Sequence, residues 1–432
     1  MEKLFRIKER GSNIRTEVFA GITTFFAMAY ILAVNPNMLG QTGMDSAGVF
    51  TATALAAGIS TLLMAFIANL PVALAPGMGL NAFFTFSVVQ GMGYSWQMAL
   101  TAVFLEGILF IFLSVFKVRS QIIKAIPENL KKAIAVGIGL FITLIGLVDG
   151  GIVSNNTGTI IGFVPLQGQA LVSLIGLIIT IVLLCLKVPA GILIGMFATT
   201  LVGIPFGVTT VPESFSPVSI PAAPIFWAFD FSNVFTTKFF IVFFTFLFVD
   251  MFDTIGTLVG VAEQGNLKDE NGDIKNVDKA LFSDAAGTVI GAMLGTSTIT
   301  SFVESSAGVA QGGRSGFASV ITGLLFFASL FLSPLFLLVP ACASAPALII
   351  VGYLMMSNVV KVEFKNLSEG IPAFITIMTM AFSYSIANGI SWGIMSYVLC
   401  KVCSNEYKKI SALTWILFFV FLAKTILDLV QI

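Results

Sequence analysis

Between two stretches apolar enough to cross a bilayer, the chain carries Gly295-Thr296-Ser297-Thr298-Ile299-Thr300-Ser301-Phe302-Val303-Glu304-Ser305-Ser306-Ala307-Gly308. Hydroxyl side chains broken by one isoleucine and followed by a carboxylate make a poor lipid-facing helix. The β-branched residues predict a short extended piece instead, with a half-helix starting near Ser301 or Phe302. Irregular backbone at membrane depth survives only when buried in protein or lining a cavity, because lipid cannot satisfy its amides. Glu304 then falls in the first turn of the half-helix, where free backbone N–H groups and the positive end of the dipole converge. An ionisable residue so placed marks a functional site.

The surroundings justify placing that run at membrane depth. The chain is 57% hydrophobic and 10% charged, with mean hydropathy +0.99, where a soluble domain carries about 25% charged residues. Apolar segments fall at about 17–35, 48–70, 77–90, 97–116, 133–148, 169–187 and 190–206. After a Pro-rich stretch they resume at about 237–262, 281–294, 301–311, 317–339, 346–357, 371–387 and 389–403, with a last one at 411–430. Basic residues then set the orientation. With the N-terminus cytoplasmic and each strand plus half-helix counted as one crossing, all Lys and Arg except Lys238 and Lys424 fall inside. The loops at 36–47, 149–168 and 207–236 hold none and fall outside. The expectation is fourteen crossings, with the topology of 411–430 left open.

An internal repeat supports this count. Ala56-Ala57-Gly58 and Gly79 recur as Ala285-Ala286-Gly287 and Gly308, both 229 residues on (58 to 287, 79 to 308). In the first half the interrupted segment reads Pro71-Val72-Ala73-Leu74-Ala75-Pro76-Gly77-Met78-Gly79-Leu80-Asn81. Seven crossings per copy is an odd number, so the copies insert with opposite topology, as in secondary transporters whose substrate binds where broken helices meet. The expected organisation is a first repeat over 1–206, an extracellular linker over 207–236, a second repeat over 237–404 and a C-terminal hydrophobic segment over 405–432.

Three pieces are expected to converge at the midpoint. Glu304 is one. Phe248-Val249-Asp250-Met251-Phe252-Asp253-Thr254-Ile255-Gly256-Thr257 is the second, with Asp250 and Asp253 three apart and read as sharing a face. Asn81, whose amide both donates and accepts, is the third. Thr254, Thr257 and Ser305 complete the candidate substrate site, and Asp253, Asp250 and Glu304 are the candidates for proton coupling. Glu106 reads as a packing contact and Asp284 as helix-start chemistry. The polar loop 266–273 lacks the Gly and Glu positions of a calcium loop. Four cysteines suggest no disulfide framework, Cys400-x-x-Cys403 included, and there is no His to relay protons or bind metal. With no nucleophile–base pair, metal cluster or phosphate loop, neither an enzyme, a cofactor nor a nucleic-acid partner is expected. Carboxylates and an amide, without a basic residue at this depth, suit a cation or a neutral ligand rich in N–H donors, such as a planar heterocycle.

Pro76 through Phe84, Asp250 through Leu258 and Thr296 through Gly316 together resemble the AzgA-like purine permeases, a branch of the nucleobase/ascorbate transporter superfamily. The likeness covers essentially the whole chain. It implies the fourteen-segment, uracil-transporter-like fold of that superfamily: an all-α membrane protein of two inverted seven-segment repeats, with short strands and half-helices in segments 3 and 10. A core (segments 1–4 and 8–11) would move against a gate (5–7 and 12–14). It further implies proton symport of guanine, hypoxanthine or adenine across a cell membrane. Asp253 matches the family's segment-8 acid, Glu304 its segment-10 glutamate and Asn81 its segment-3 asparagine. Thr257 stands where uracil carriers often have a His. The expected partners are a purine nucleobase, a proton and the bilayer, with a homodimer as a further expectation. An anion carrier of the same fold and a channel are the competing readings.

Overall fold

A computed structural model describes residues 2–115, 127–156, 158–265, 267 and 274–430. Several basic residues used for orientation, among them Lys117, Arg119, Lys124 and Lys268, lie outside them, as does most of the polar loop 266–273.

The first half runs α1 (Glu2–Phe5), α2 (Ile14–Met28), α3 (Ile31–Gly40), α4 (Ser46–Leu63), β1 (Leu74–Pro76), α5 (Met78–Ala82), α6 (Trp96–Val115), α7 (Glu128–Asp149), β2 (Val153–Asn156), β3 (Ile160–Phe163), α8 (Gln169–Cys185) and α9 (Gly191–Gly203). The second runs α10 (Thr237–Gly265), α11 (Val277–Leu294), β4 (Ile299–Ser301), α12 (Ser305–Ala310), α13 (Gly316–Ser329), α14 (Ser333–Leu337), α15 (Ala341–Met356), α16 (Leu367–Phe382), α17 (Ile386–Cys403) and α18 (Ala412–Val430). Among the described residues, eight stretches are long and apolar enough to cross a membrane: Ile14–Gly40, Ser46–Ala68, Trp96–Val115, Glu128–Asp149, Lys238–Ala262, Gly316–Leu337, Ala341–Lys361 and Ile386–Cys403. The protein is thus a mostly helical, multi-pass membrane protein.

Local chemistry explains where these elements start. Asp45 accepts from the Gly48 N–H at 2.7 Å and opens α4, and Asn366 and Ser385 cap α16 and α17 in the same way. The π-helical turn Met64–Ala68 ends at Asn69, whose φ of 52° is left-handed.

The interrupted segments meet at the centre. β1 and β4 pair antiparallel, with Leu74 opposite Ser301, Ala75 opposite Thr300 and Pro76 opposite Ile299. The Gly77 N–H donates to the Thr298 carbonyl and the Phe302 N–H to the Ala73 carbonyl, both at 3.0 Å, extending the ladder at each end. Each strand thereby satisfies backbone groups that no lipid could. The half-helix after β4 begins at Ser305, later than the sequence suggested, because a turn over Val303–Glu304 intervenes. Glu304 therefore precedes the first helical residue.

Two further features depart from expectation. The loop 149–168 folds into the β2–β3 hairpin, with Val153 opposite Phe163. Asn156 Oδ1 accepts from the N–H groups of Gly158 and Thr159 in its turn. The repeat, moreover, is one of elements and not of register: α4 and α11 start 231 residues apart (46 to 277), β1 and β4 225 (74 to 299), α5 and α12 227 (78 to 305). Gly79 and Gly308 thus hold different places in their half-helices. A Cβ on Gly308 would stand 2.2 Å from Thr24 Oγ1 and 2.4 Å from the Ala20 carbonyl, so α12 lies directly on α2 only because that position has none.

The helices sort into two packing groups. In one, α13 packs on α2 and α4, α11 on α4 and α6, α10 on α6 and α12, with the β1–β4 ladder inside. In the other, α7, α8, α9, α15, α16 and α17 pack on one another, and α18 rests on α17.

Candidate functional site

β4 and the residues before it organise the site. Thr300 donates to Asp253 Oδ2 at 3.4 Å, and Ser297 donates to Asn81 Oδ1. Three residues of extended chain span about 10 Å, so one segment positions the acid of α10 and the amide of α5. Beyond the strand, Glu304 Oε1 accepts from the Tyr30 hydroxyl. Tyr30 stands at the joint between α2 and α3 and is wholly buried. Asp253 feels the charge of Glu304, and Tyr30 that of both acids, so Asp253, Glu304 and Tyr30 form one cluster. Asp253 and Glu304 are each only partly buried, whereas Asn81 is sealed at 0% exposure. Among the described residues the Asn81 Nδ2 has no hydrogen-bond partner. Beside it on the same segment, Phe83 stacks edge-on against Phe246 of α10, ring centres 4.8 Å apart, forming an apolar wall.

The remaining candidates take other places. Ser305 is buried, and its Oγ accepts from the Ala73 N–H at 3.0 Å, tying α12 to the start of β1. Thr254 donates to Asp284 Oδ2 at 2.9 Å and lies 3.4 Å from Asp250 Oδ1, inside the contact between α10 and α11. Asp250 is accordingly fully buried and faces α11, while Asp253 faces β4. The reading that the two acids share a face is corrected here. A step of three residues leaves side chains about 60° apart on a helix, enough to send them to different neighbours. Asp284 is corrected too: α11 begins at Val277, so Asp284 lies within the helix rather than at its start. Thr257, one turn beyond Asp253, is 9% exposed. Glu106 is fully buried on α6, which packs against α11.

Glu304 also differs from expectation in its partner. A six-residue α12 has little dipole to offer, and the carboxylate makes no capping bond to it. Its donor is a phenol from α2–α3. Tyr30 had no signal in the sequence, being one aromatic in an apolar segment. Asp284 could have been found by starting its helix at Asn276.

The model of the permease family (Xan_ur_permease) matches residues 15–391. The guanine/hypoxanthine permease PbuG of Bacillus subtilis is 45% identical over 436 aligned residues, covering 98% of each chain. The adenine permease AdeP of Escherichia coli is 40% identical, covering 99% of this chain and 96% of its own. Among solved structures, the transmembrane domain of the cyanobacterial bicarbonate transporter BicA superposes with TM-score 0.66 at 15% identity, over 87% of this chain and 97% of its own. SLC26A9 follows at TM-score 0.65 and 12% identity, over 93% of this chain and 68% of its own. These last two are likenesses of fold. A permease, not an enzyme, is what such relatives describe. With a family model over most of its length and relatives this similar over nearly all of it, the chain belongs to the permease family of nucleobase/ascorbate transporters.

Proposed function

We propose that the chain imports purine nucleobases by proton symport across the cell membrane. Full-length similarity to guanine/hypoxanthine and adenine permeases supports the substrate class. The observation that carries the chemistry is the cluster of Glu304, Asp253 and Tyr30 beside the β1–β4 crossing. Glu304 accepts N–H groups of the ring, the Asn81 Nδ2, without a partner among the described residues, donates to a ring acceptor once the site opens around it, and Asp253 carries the coupled proton. Thr257 and Ser305 flank these groups, and Asp250 with Thr254 backs Asp253 from the α11 side.

The fourteen-crossing reading assigns segments 3 and 10 to the two strand–half-helix units. The eight long spans, α8, α9, α11 and α16 are the other twelve crossings. The β1–β4 packing group is then the core and the α7–α9, α15–α17 group the gate, with the N-terminus cytoplasmic, 207–236 outside and a homodimer as the assembly. The inverted repeats span 1–206 and 237–404. BicA and SLC26A9 share the fold at low identity, and the acids at the site disfavour an anion. The test is uptake of labelled hypoxanthine into proteoliposomes under an inward proton gradient, with adenine, guanine, uracil and bicarbonate as competitors. Competition by purines alone, lost when the gradient is collapsed, is the expected result. Competition by bicarbonate would reverse the reading.

A further inference from the structure

Asp253 is only partly buried, and the hydroxyl run ahead of its own partner offers the proton it is read to carry a second route, through the buried interior. Asn35 of α3 is wholly buried, and its Nδ2 donates to Thr53 Oγ1 at 2.7 Å and to Thr296 Oγ1 at 2.9 Å. The Thr53 proton is already given to the Val49 carbonyl. Thr296 accepts from Asn35, which leaves its own hydroxyl proton available. Two residues on, Thr298 is also at 0% exposure, and its Oγ1 has no partner among the described residues. Two further on, Thr300 donates to Asp253 Oδ2. Thr298 and Thr300 flank Ile299 of the β1–β4 ladder, which continues to the Thr298 carbonyl, so these two face the same side about 7 Å apart. That gap is too wide for a direct bond or for one water, whose two hydrogen bonds reach about 5.6 Å, and is suited to a short water chain. Buried polar atoms without a protein partner are where ordered waters are held, the Asn35 Oδ1 being another here.

We propose that Asn35, Thr296, Thr298 and Thr300 line a hydrated hydrogen-bond wire that delivers protons from the outer face to Asp253. This rests on the symport reading above. The wire has a direction: each known bond donates toward the carboxylate, from Asn35 to Thr296 at one end and from Thr300 to Asp253 at the other. Its outer end lies on α3, which leads to the loop 36–47 that holds no basic residue. Asn35 orients Thr296 and passes no proton itself: a water beside it gives a proton to Thr296 Oγ1 as the Thr296 hydroxyl proton moves to the next water. The exchange repeats at Thr298 and Thr300, and the Thr300 proton is taken up by the Asp253 carboxylate, which becomes neutral. Glu304 and Tyr30 face Asp253 from the other elements, and Asp250 lies one turn back on α10.

Thr298→Val keeps the shape and removes the hydroxyl. In proteoliposomes with an internal pH dye, purine-dependent proton uptake should fall about fivefold, the loss of one hydrogen bond's worth. Labelled-purine counterflow at equal pH, which needs no net proton movement, should stay near wild type. Thr298→Ser should restore proton uptake, and Thr296→Val should repeat the Thr298→Val phenotype. Proton uptake at the wild-type rate in both valine variants overturns the wire, and so does a parallel loss of counterflow, which marks a packing role. Wild-type protein that takes up purine without any proton overturns the symport reading first, and the wire with it.

Discussion

Along α10, three residues turn the chain about 60° short of a full circle, and that difference separates Asp250, held with Thr254 and Asp284, from Asp253, held by Thr300. Asp253 therefore answers to β4 and to Glu304, which suits the proton-carrying role proposed for it. Glu304→Gln should abolish purine binding, since it removes the acceptor proposed for ring N–H groups. Asp253→Asn should keep binding and counterflow while losing accumulation driven by a pH gradient. Tyr30→Phe, which removes the donor that orients Glu304, should weaken binding by about tenfold, the value of a hydrogen bond to a charged group. Scintillation-proximity binding beside gradient-driven uptake separates these outcomes. Equal loss of binding in the Asp253 and Glu304 variants would make both acids ligands. The acids and Asn81 were legible because polar residues in apolar segments stand out. Tyr30 was not, because its role depends on a carboxylate 274 residues away.

At the scale of elements, the ends of α16 and α17 are clamped by one lysine. Lys401 is 2% exposed, and its Nζ lies 2.8 Å from Glu369, 2.7 Å from Glu406 and 3.0 Å from Ser368 Oγ. In the sequence it was one more cytoplasmic charge. Hydrogen bonds from Lys401 and Lys409 hold the Glu406 carboxyl down from 4.5 to about 2. A depressed carboxyl stabilises the fold above its unfolded value and loses that contribution as pH falls toward the folded one. Lys401→Met should lower Tm at pH 7 by roughly 3 °C, because the partly exposed Glu369 and Glu406 lose their shared cation and Glu406 keeps only Lys409. The deficit should narrow between about pH 4.5 and pH 2, where the wild type loses the clamp as well. Melting curves at pH 7 and pH 3 decide it; a deficit that does not change with pH would assign the loss to packing. The β2–β3 hairpin was hidden for another reason: its strands, Val153-Ser154-Asn155-Asn156 and Ile160-Ile161-Gly162-Phe163, are four residues each, too short for an alternating period to show.

For the whole molecule, the two packing groups meet where α5 crosses α7. A Cβ on Gly79 would stand 2.7 Å from Ile138 Cγ2. If the groups move against each other during transport, Gly79→Cys with Ile138→Cys, in a background where the exposed Cys185 and Cys403 are Ser, should lose uptake on oxidation and regain it with reductant. Cross-linked protein that transports at its reduced rate would show this crossing to be rigid. Membrane character, the broken segments and the acids between them were determined by sequence alone, because hydropathy, β-branching and charge are properties of a residue and its near neighbours. Tertiary structure alone decided that Tyr30 meets Glu304, Ser297 meets Asn81 and Thr254 meets Asp284. Such partners are chosen by which backbones approach closely enough to bring two polar groups within 3 Å, and that is settled only when distant helices pack.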